Sequence, residues 1–138
     1  MNRKEIIDTA EAKFEDNKDD CNKFLKAVAD KLNVDLPIGE DANGLFDHME
    51  RSPQWKPLGK GAPGMDLALH YALNGSFVVA AMKEKGNGHV AVIVGEDTDG
   101  TPTAYWGQLG GAGQKRGRLS ASWARKKFPT ISYFAYIN

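Results

Sequence analysis

Residues 19–28 have the sequence DDCNKFLKAV and include the one cysteine of the 138-residue chain. We predict that a helix begins here, because the carboxylate of Asp20 is suited to accept a hydrogen bond from a first-turn backbone N–H. Cys21 is then the first helical residue. The side chains on the same side of this helix are apolar: Phe24, Leu25, Val28 and Leu32. This stripe has to pack against the rest of the fold, and the cysteine lies on it.

Two interpretations of Cys21 follow from this position. The unpaired N–H groups and the dipole at a helix start favour a negative charge, and they predict a lowered thiol pKa and a nucleophilic thiolate. A free cysteine on an apolar stripe is also commonly a small buried hydrophobe without any chemistry. The choice between the two depends on whether a base lies nearby.

The order of the predicted elements indicates an α+β fold. Helices are expected in the first half, at about residues 3–15, 21–33, 42–51 and 64–73. Strands are expected after them, at about residues 77–82, 89–94, 103–108 and 131–137. We expect loops at 52–64 and 107–117, which are rich in glycine or proline, and a short helix near 121–127. Helices followed by hairpin-linked strands favour an antiparallel sheet in a single domain.

Charge and composition exclude several partners. The 18 basic and 18 acidic residues cancel, so no net charge draws the chain to nucleic acid or to a membrane. A basic run without acids is nevertheless present: Lys115, Arg116, Arg118, Arg125, Lys126 and Lys127. This run is either a solvated face or a site for an anionic ligand, and its lack of interleaved aromatic side chains argues against nucleic acid.

We expect neither a metal nor another cofactor. The chain has no Cys/His cluster for zinc, and the DTDG stretch at 97–100 lacks the rest of a calcium loop. The N-terminal residues lack the apolar segment of a signal peptide, and no stretch approaches the length of a membrane span. These features predict synthesis in the cytoplasm without a signal peptide and no membrane insertion.

A cysteine nucleophile needs a base, and the chain offers three histidines. His48 lies in a charged helix end and is most simply a surface residue, and His70 lies on another helix. His89 differs because it opens a strand of Val, Ala and Ile directly after a Gly-Asn-Gly turn. It is a candidate for the base, or alternatively a half-buried histidine that ends the hairpin.

A catalytic histidine also needs a polar group that fixes its tautomer. The next predicted strand ends at Gly107 and Gln108. Either the side chain of Gln108 or the carbonyl of Gly107 is a candidate acceptor for the imidazole. The choice stays open because a register slip of one residue exchanges the two faces of a strand.

Several stretches together resemble a known family. They are DCNKFLKAVA at 20–29, residues 37–43, GHVAVI at 88–93, YWG at 105–107 and YFAY at 133–136. The arrangement resembles the NlpC/P60 papain-like peptidases, and more closely the first family of type VI secretion amidase effectors. The resemblance implies one papain-like domain over 1–138, with N-terminal helices packed on an antiparallel sheet. Where the family usually has Cys-Ser-Gly, this chain has Cys-Asn-Lys at 21–23.

The resemblance also implies a function. The family's activity is cleavage of the peptidoglycan stem peptide between D-glutamate and meso-diaminopimelate. Cys21 would attack as a thiolate, with its backbone N–H stabilising the oxyanion, and His89 would act as base and then as acid. Delivery by a secretion system into the periplasm of a target bacterium is implied too, as is an immunity protein in the producing cell. No metal or cofactor is implied.

Two other functions stay open at this stage. A housekeeping or phage-type wall hydrolase, or an amide acyltransferase, would use the same Cys/His pair, because the pocket rather than the pair sets the substrate. A non-catalytic module would instead bind an anionic polymer through the basic run at 115–127. That module predicts salt-sensitive binding in which Cys21 has no part.

Overall fold

The computed structural model describes residues 1–137 and confirms an α+β fold with an antiparallel sheet. The helices are α1 (Arg3–Asn17), α2 (Cys21–Lys31), α3 (Ala42–Arg51) and α4 (Gly61–Leu73). The strands are β1 (Trp55–Lys60), β2 (Val78–Met82), β3 (His89–Glu96), β4 (Pro102–Trp106), β5 (Gln114–Arg118) and β6 (Ser132–Tyr136). Two 3-10 helices cover Leu119–Ala121 and Arg125–Thr130. The order of strands in the sheet is β1-β6-β2-β3-β4-β5.

The sheet is covered on both faces. Helices α1, α2 and α3 pack on one face, where Cys21 shares a cluster of buried side chains with Val90 and Val92. Helix α4 packs on the other face, together with Trp123 and Tyr133. Every residue of β2 is buried, because alternate side chains of this central strand enter the two clusters. The continuous apolar sequence of that strand follows from its two covered faces.

Two stretches that we predicted as loops form edge strands. Residues 52–64 contain β1 and the first turn of α4, and residues 107–117 contain most of β5. An edge strand tolerates proline and glycine because one side of its backbone needs no partner in the sheet. Strand β1 carries an irregularity between Pro57 and Gly59, where Gly59 has a φ of 95°. The proline and glycine residues that suggested loops are therefore compatible with the edge strands β1 and β5.

The region between β5 and β6 also differs from the prediction. A helix near 121–127 was expected, but two 3-10 helices flank an irregular segment at 122–124. Pro129 lies inside the second 3-10 helix. A proline lacks the backbone N–H that a longer helix requires and favours such a short element. Across residues 1–137, the helices are all too short or too polar to cross a membrane.

The end of β4 contacts the start of α2 backbone to backbone. A Cβ added to Gly107 would lie 2.4 Å from the carbonyl oxygen of Asp20 and 2.6 Å from that of Asn17. The Lys18 carbonyl accepts hydrogen bonds from the backbone N–H groups of Gln108 and Gly113, both at 2.9 Å. This close approach fixes where the helix with Cys21 begins relative to the sheet.

We therefore expect Gly107→Ala to destabilise the fold by about 1–3 kcal/mol, because the added methyl group forces two backbone segments apart. The matched control is Gly111→Ala, since a Cβ there meets no atom within 4 Å. Urea unfolding followed by circular dichroism measures both. Equal stability of the two variants would contradict the importance of this contact.

Candidate active site

Asp20 caps α2 as the sequence predicts. Its Oδ1 accepts from the backbone N–H groups of Asn22 at 3.0 Å and Lys23 at 3.2 Å. Cys21 is the first helical residue and is 6% exposed. Because Asp20 uses the two following N–H groups, the backbone N–H of Cys21 is the first-turn donor that remains for an incoming oxyanion.

The Cys21 thiol lies between the helix start and the beginning of β3. Its Sγ donates to Oδ1 of Asn22 at 3.4 Å. Burial raises the pKa of the Cys21 thiol to about 11, although the backbone N–H groups of Val90, Asn22 and Cys21 act in the opposite direction. The expectation of a lowered pKa is therefore wrong for this structure. The free-energy cost of removing a thiolate from water is larger here than the stabilisation that the helix start provides. The nearby Asp20 carboxylate destabilises the thiolate further.

His89 is the first residue of β3 and is half-buried. Its Nε2 forms a hydrogen bond with Oγ of Ser122. The ring of Trp123 packs edge-to-face on the imidazole, with 4.7 Å between centroids and an interplanar angle of 72°. Burial lowers the pKa of His89 to about 4, against the opposing charge of Glu84. The imidazole is therefore neutral near pH 7.

The structure brings Cys21 and His89 to the same end of one strand. The thiol lies near the backbone N–H of Val90, the residue that follows His89. Within residues 1–137 no hydrogen bond joins the thiol and the imidazole.

Gln108 and Gly107 have different surroundings. A cavity of about 200 Å³ is lined by Gln108, His89 and Ser122, together with Glu84 from the hairpin before His89 and further residues of the segment 123–127. Gly107 contacts the backbone before α2 instead. Among the described residues the hydrogen-bond partner of the imidazole is Ser122, so the roles of Gln108 and Gly107 as orienting groups remain predictions.

The other two histidines lie elsewhere in the fold. His48 is on α3 and, contrary to the expected surface position, is half-buried, with its Nε2 lacking a hydrogen-bond partner among residues 1–137. His70 is exposed near the end of α4. Neither lines the cavity that contains His89.

The hairpin before His89 is held by a side chain that the sequence analysis did not single out. The amide of Asn43 donates to the Glu84 carbonyl at 2.8 Å and accepts from the Glu84 backbone N–H at 3.2 Å. A Cβ added to Gly88 would lie 2.3 Å from Oδ1 of Asn43. The carboxylate of Glu84 forms an ion pair with Lys127. The turn that leads into His89 is therefore tied to α3 and to the segment that carries Ser122.

Sequence reasoning also missed Ser122 and Trp123. These residues follow β5 in an irregular segment, and Ser122 is separated from His89 by 33 positions. No periodicity or motif links residues at that distance, so the sequence carries no signal for this contact. In the described residues 1–137, no group of three or more His, Cys, Asp or Glu side chains is arranged to hold a metal ion.

A buried cysteine at a helix start, packed on an antiparallel sheet beside a strand that opens with histidine, is the arrangement of a papain-like cysteine amidase. The chain is 34% identical over 125 residues to the peptidoglycan amidase Tse1 of Pseudomonas aeruginosa, an alignment that covers 87% of this chain and 77% of the relative. No protein-family model matches the chain. The chain belongs to the amidase family of Tse1, which confirms the resemblance to type VI secretion amidase effectors.

The raised pKa of Cys21 predicts slow alkylation at neutral pH. With a thiol pKa of about 11, the rate of reaction with iodoacetamide should rise about tenfold per pH unit up to about pH 9, because only the thiolate reacts. Mass spectrometry measures the modified fraction without background, since the chain has one cysteine. A rate that is already constant below about pH 7 would instead indicate a thiolate stabilised by His89.

Proposed function

We propose that the chain is a peptidoglycan-degrading cysteine amidase, a DL-endopeptidase that cuts the stem peptide between D-glutamate and meso-diaminopimelate. The observation that carries this proposal is the position of Cys21, the first residue of α2, beside the strand opened by His89. Membership of the same family as a peptidoglycan amidase supports peptidoglycan as the substrate class. The choice of bond rests on the family resemblance drawn from the sequence.

Both members of the proposed pair are neutral near pH 7, and this determines the first step. The Cys21 sulfur attacks the carbonyl carbon of the D-glutamyl amide while its proton passes to His89. Because Nε2 is engaged with Ser122, Nδ1 is the ring nitrogen available for that proton. The productive contact between the thiol and Nδ1 forms when the substrate is bound, since catalytic hydrogen bonds often tighten only in the complex.

The later steps return the enzyme to its starting state. The oxyanion of the tetrahedral intermediate accepts a hydrogen bond from the backbone N–H of Cys21. His89 gives its proton to the amine of diaminopimelate as the C–N bond breaks, leaving a thioester on Cys21. Water then hydrolyses the thioester with His89 as base, which releases the D-glutamyl carboxylate and restores the thiol.

Ser122 acts as a positioning residue for His89 in this proposal. For Nδ1 to accept a proton, Nε2 must carry its own hydrogen and donate it to Oγ of Ser122. The Trp123 ring restricts the imidazole from the side. The Glu84–Lys127 ion pair supports the same arrangement, because it connects the hairpin before His89 to the segment after Ser122.

We also propose the cellular setting implied by the family. The chain would be delivered by a type VI secretion system and act in the periplasm of a target bacterium, and an immunity protein would protect the producing cell. Membership of the amidase family supports this setting. Co-purification from the producing strain would identify the secretion-system component and the immunity protein.

Digestion of purified sacculi tests the reaction and the nucleophile together. We expect the wild type to convert tripeptide-linked muropeptides into disaccharide-dipeptides, identified by mass, and Cys21→Ala to leave the sacculi intact. Circular dichroism of Cys21→Ala is the control for folding. Lysis by a well-folded Cys21→Ala would contradict the proposal, and products cut at another bond would contradict the assigned specificity.

We expect His89→Ala to lose about 100- to 10,000-fold in kcat, because it removes the general base and acid. His48→Ala and His70→Ala are the matched controls and should retain their activity towards a soluble stem peptide. Loss of turnover in either control, with an active His89→Ala, would reassign the base.

Ser122→Ala should lower kcat by about 10- to 100-fold with little change in KM, because the imidazole loses its orientation and not its contact with the substrate. Ser122→Thr keeps the hydroxyl and should recover much of this loss. Ser120→Ala, an exposed serine of the same region, is the control and should behave as the wild type. Full activity of Ser122→Ala would remove Ser122 from the mechanism.

A further inference from the structure

The carboxamide of Asn43 binds both backbone groups of Glu84, a residue 41 positions later in the chain. The amide nitrogen donates to the Glu84 carbonyl at 2.8 Å, and Oδ1 accepts from the Glu84 N–H at 3.2 Å. Asn43 is the second residue of α3 and is half-buried. A carboxamide is one of the few side-chain groups that can donate and accept at the same time. Two hydrogen bonds to one residue restrain both the position and the rotation of the backbone there.

The segment that Asn43 restrains leads directly to the proposed base. Strands β2 and β3 form a ladder whose pair next to the turn is Met82 with His89. Residues 83–88 lie outside this ladder, so the sheet does not fix their backbone. The ion pairs that this segment makes within residues 1–137 join the ends of flexible side chains. Such pairs restrain the backbone weakly, which leaves the Asn43 carboxamide as the direct restraint on it.

Asn43 also contacts the residue immediately before His89. A Cβ added to Gly88 would lie 2.3 Å from Oδ1 of Asn43 and 2.7 Å from the Met82 carbonyl oxygen. The carboxamide therefore lies against the backbone at Gly88 as well as at Glu84. These contacts determine the direction in which the chain enters β3. Because His89 is the first residue of that strand, they also determine where its imidazole is placed.

Helix α3 has no need of the Asn43 side chain for its own stability. Asp41 is the N-cap, and its Oδ1 accepts from the Gly44 N–H at 2.8 Å. Asparagine is a weaker helix former than alanine, because its side chain competes for backbone hydrogen bonds. In this helix the carboxamide instead makes its two hydrogen bonds with the hairpin. The contact with the hairpin, and not the helix, therefore accounts for an asparagine at this position.

The start of α3 also borders the surroundings of the proposed nucleophile. Asp41 lines a cavity of about 460 Å³ together with Asp20 and Asn22 at the start of α2. The thiol of Cys21 donates to the side chain of Asn22. The first turn of α3 is thus connected both to the helix that carries the thiol and, through Asn43, to the hairpin that ends at the imidazole.

We propose that Asn43 is a positioning residue for His89 in the amidase reaction. Its carboxamide restrains the backbone that precedes the imidazole, whereas Ser122 engages the ring itself. This role rests on the proposed function, since the place of the imidazole affects turnover only if His89 is the base. Asn43 acts through the hairpin and contacts neither the substrate nor the reacting atoms. Its loss lowers the fraction of enzyme–substrate complexes in which the imidazole can reach the thiol.

Steady-state kinetics of the full chain with a soluble stem peptide tests this role. Asn43→Ala should lower kcat by about 10- to 100-fold with little change in KM, because it disturbs the geometry of the reaction and not the contact with substrate. Asn87→Ala is the matched control, since Asn87 is an exposed residue of the same segment, and it should behave as the wild type. Circular dichroism at the assay temperature shows whether each variant is folded. Wild-type kcat in a folded Asn43→Ala, or a loss confined to KM, would overturn the proposal.

The imidazole itself provides a readout that does not depend on catalysis. Asn43→Asp has nearly the shape of the wild type and removes only the donor to Glu84, so it serves even if the alanine variant does not fold. In ¹⁵N spectra at pH 7, both variants should shift or broaden the His89 ring resonances, while the His70 ring stays unchanged. Asn87→Asp controls for the added charge and should leave His89 as in the wild type. Unchanged His89 resonances in the Asn43 variants would overturn the proposal. A wild type that does not cut sacculi would instead contradict the amidase function, and these spectra would still show whether Asn43 positions the imidazole.

Discussion

The geometry of the active site depends on one backbone contact, the approach of Gly107 to the carbonyl groups of Asn17 and Asp20. This contact brings the end of β4 against the turn before α2, and the Lys18 carbonyl completes it with two hydrogen bonds. Helix α2 begins directly after its N-cap Asp20, and its first residue, Cys21, lies near the beginning of β3. A side chain at position 107 would force these backbone segments apart. Glycine is therefore favoured at this position for steric reasons, independently of any catalytic role.

This placement buries Cys21 and half-buries His89, the two members of the proposed catalytic pair. At an exposed helix start, the unpaired N–H groups would favour a thiolate. Here desolvation is the larger effect and keeps the thiol protonated, while the same effect keeps the imidazole neutral. A neutral pair is protected from adventitious oxidation and alkylation, because the thiolate is the reactive form. In the proposed mechanism, ionisation of the thiol is therefore coupled to the attack on the substrate.

The sequence was sufficient for the features that arise from local chemistry. The cap at Asp20, the position of Cys21 on the apolar stripe and the hairpin that presents His89 all depend on neighbouring residues, and the structure contains each of them. The edge strands β1 and β5 were missed because proline and glycine are compatible with an edge. Ser122 was missed because its contact with His89 spans 33 positions, and the lowered thiol pKa was wrong because burial is a property of the assembled fold.

The most direct test of this account is ¹⁵N NMR titration of the His89 imidazole, assigned with His89→Ala. The account predicts a neutral ring at pH 7 that is protonated at Nε2, hydrogen-bonded to Ser122, and takes up a second proton only near its pKa of about 4. A ring that is doubly protonated at pH 7 would show that Cys21 and His89 form a thiolate–imidazolium pair. That result would contradict the neutral pair and the sequence of steps built on it.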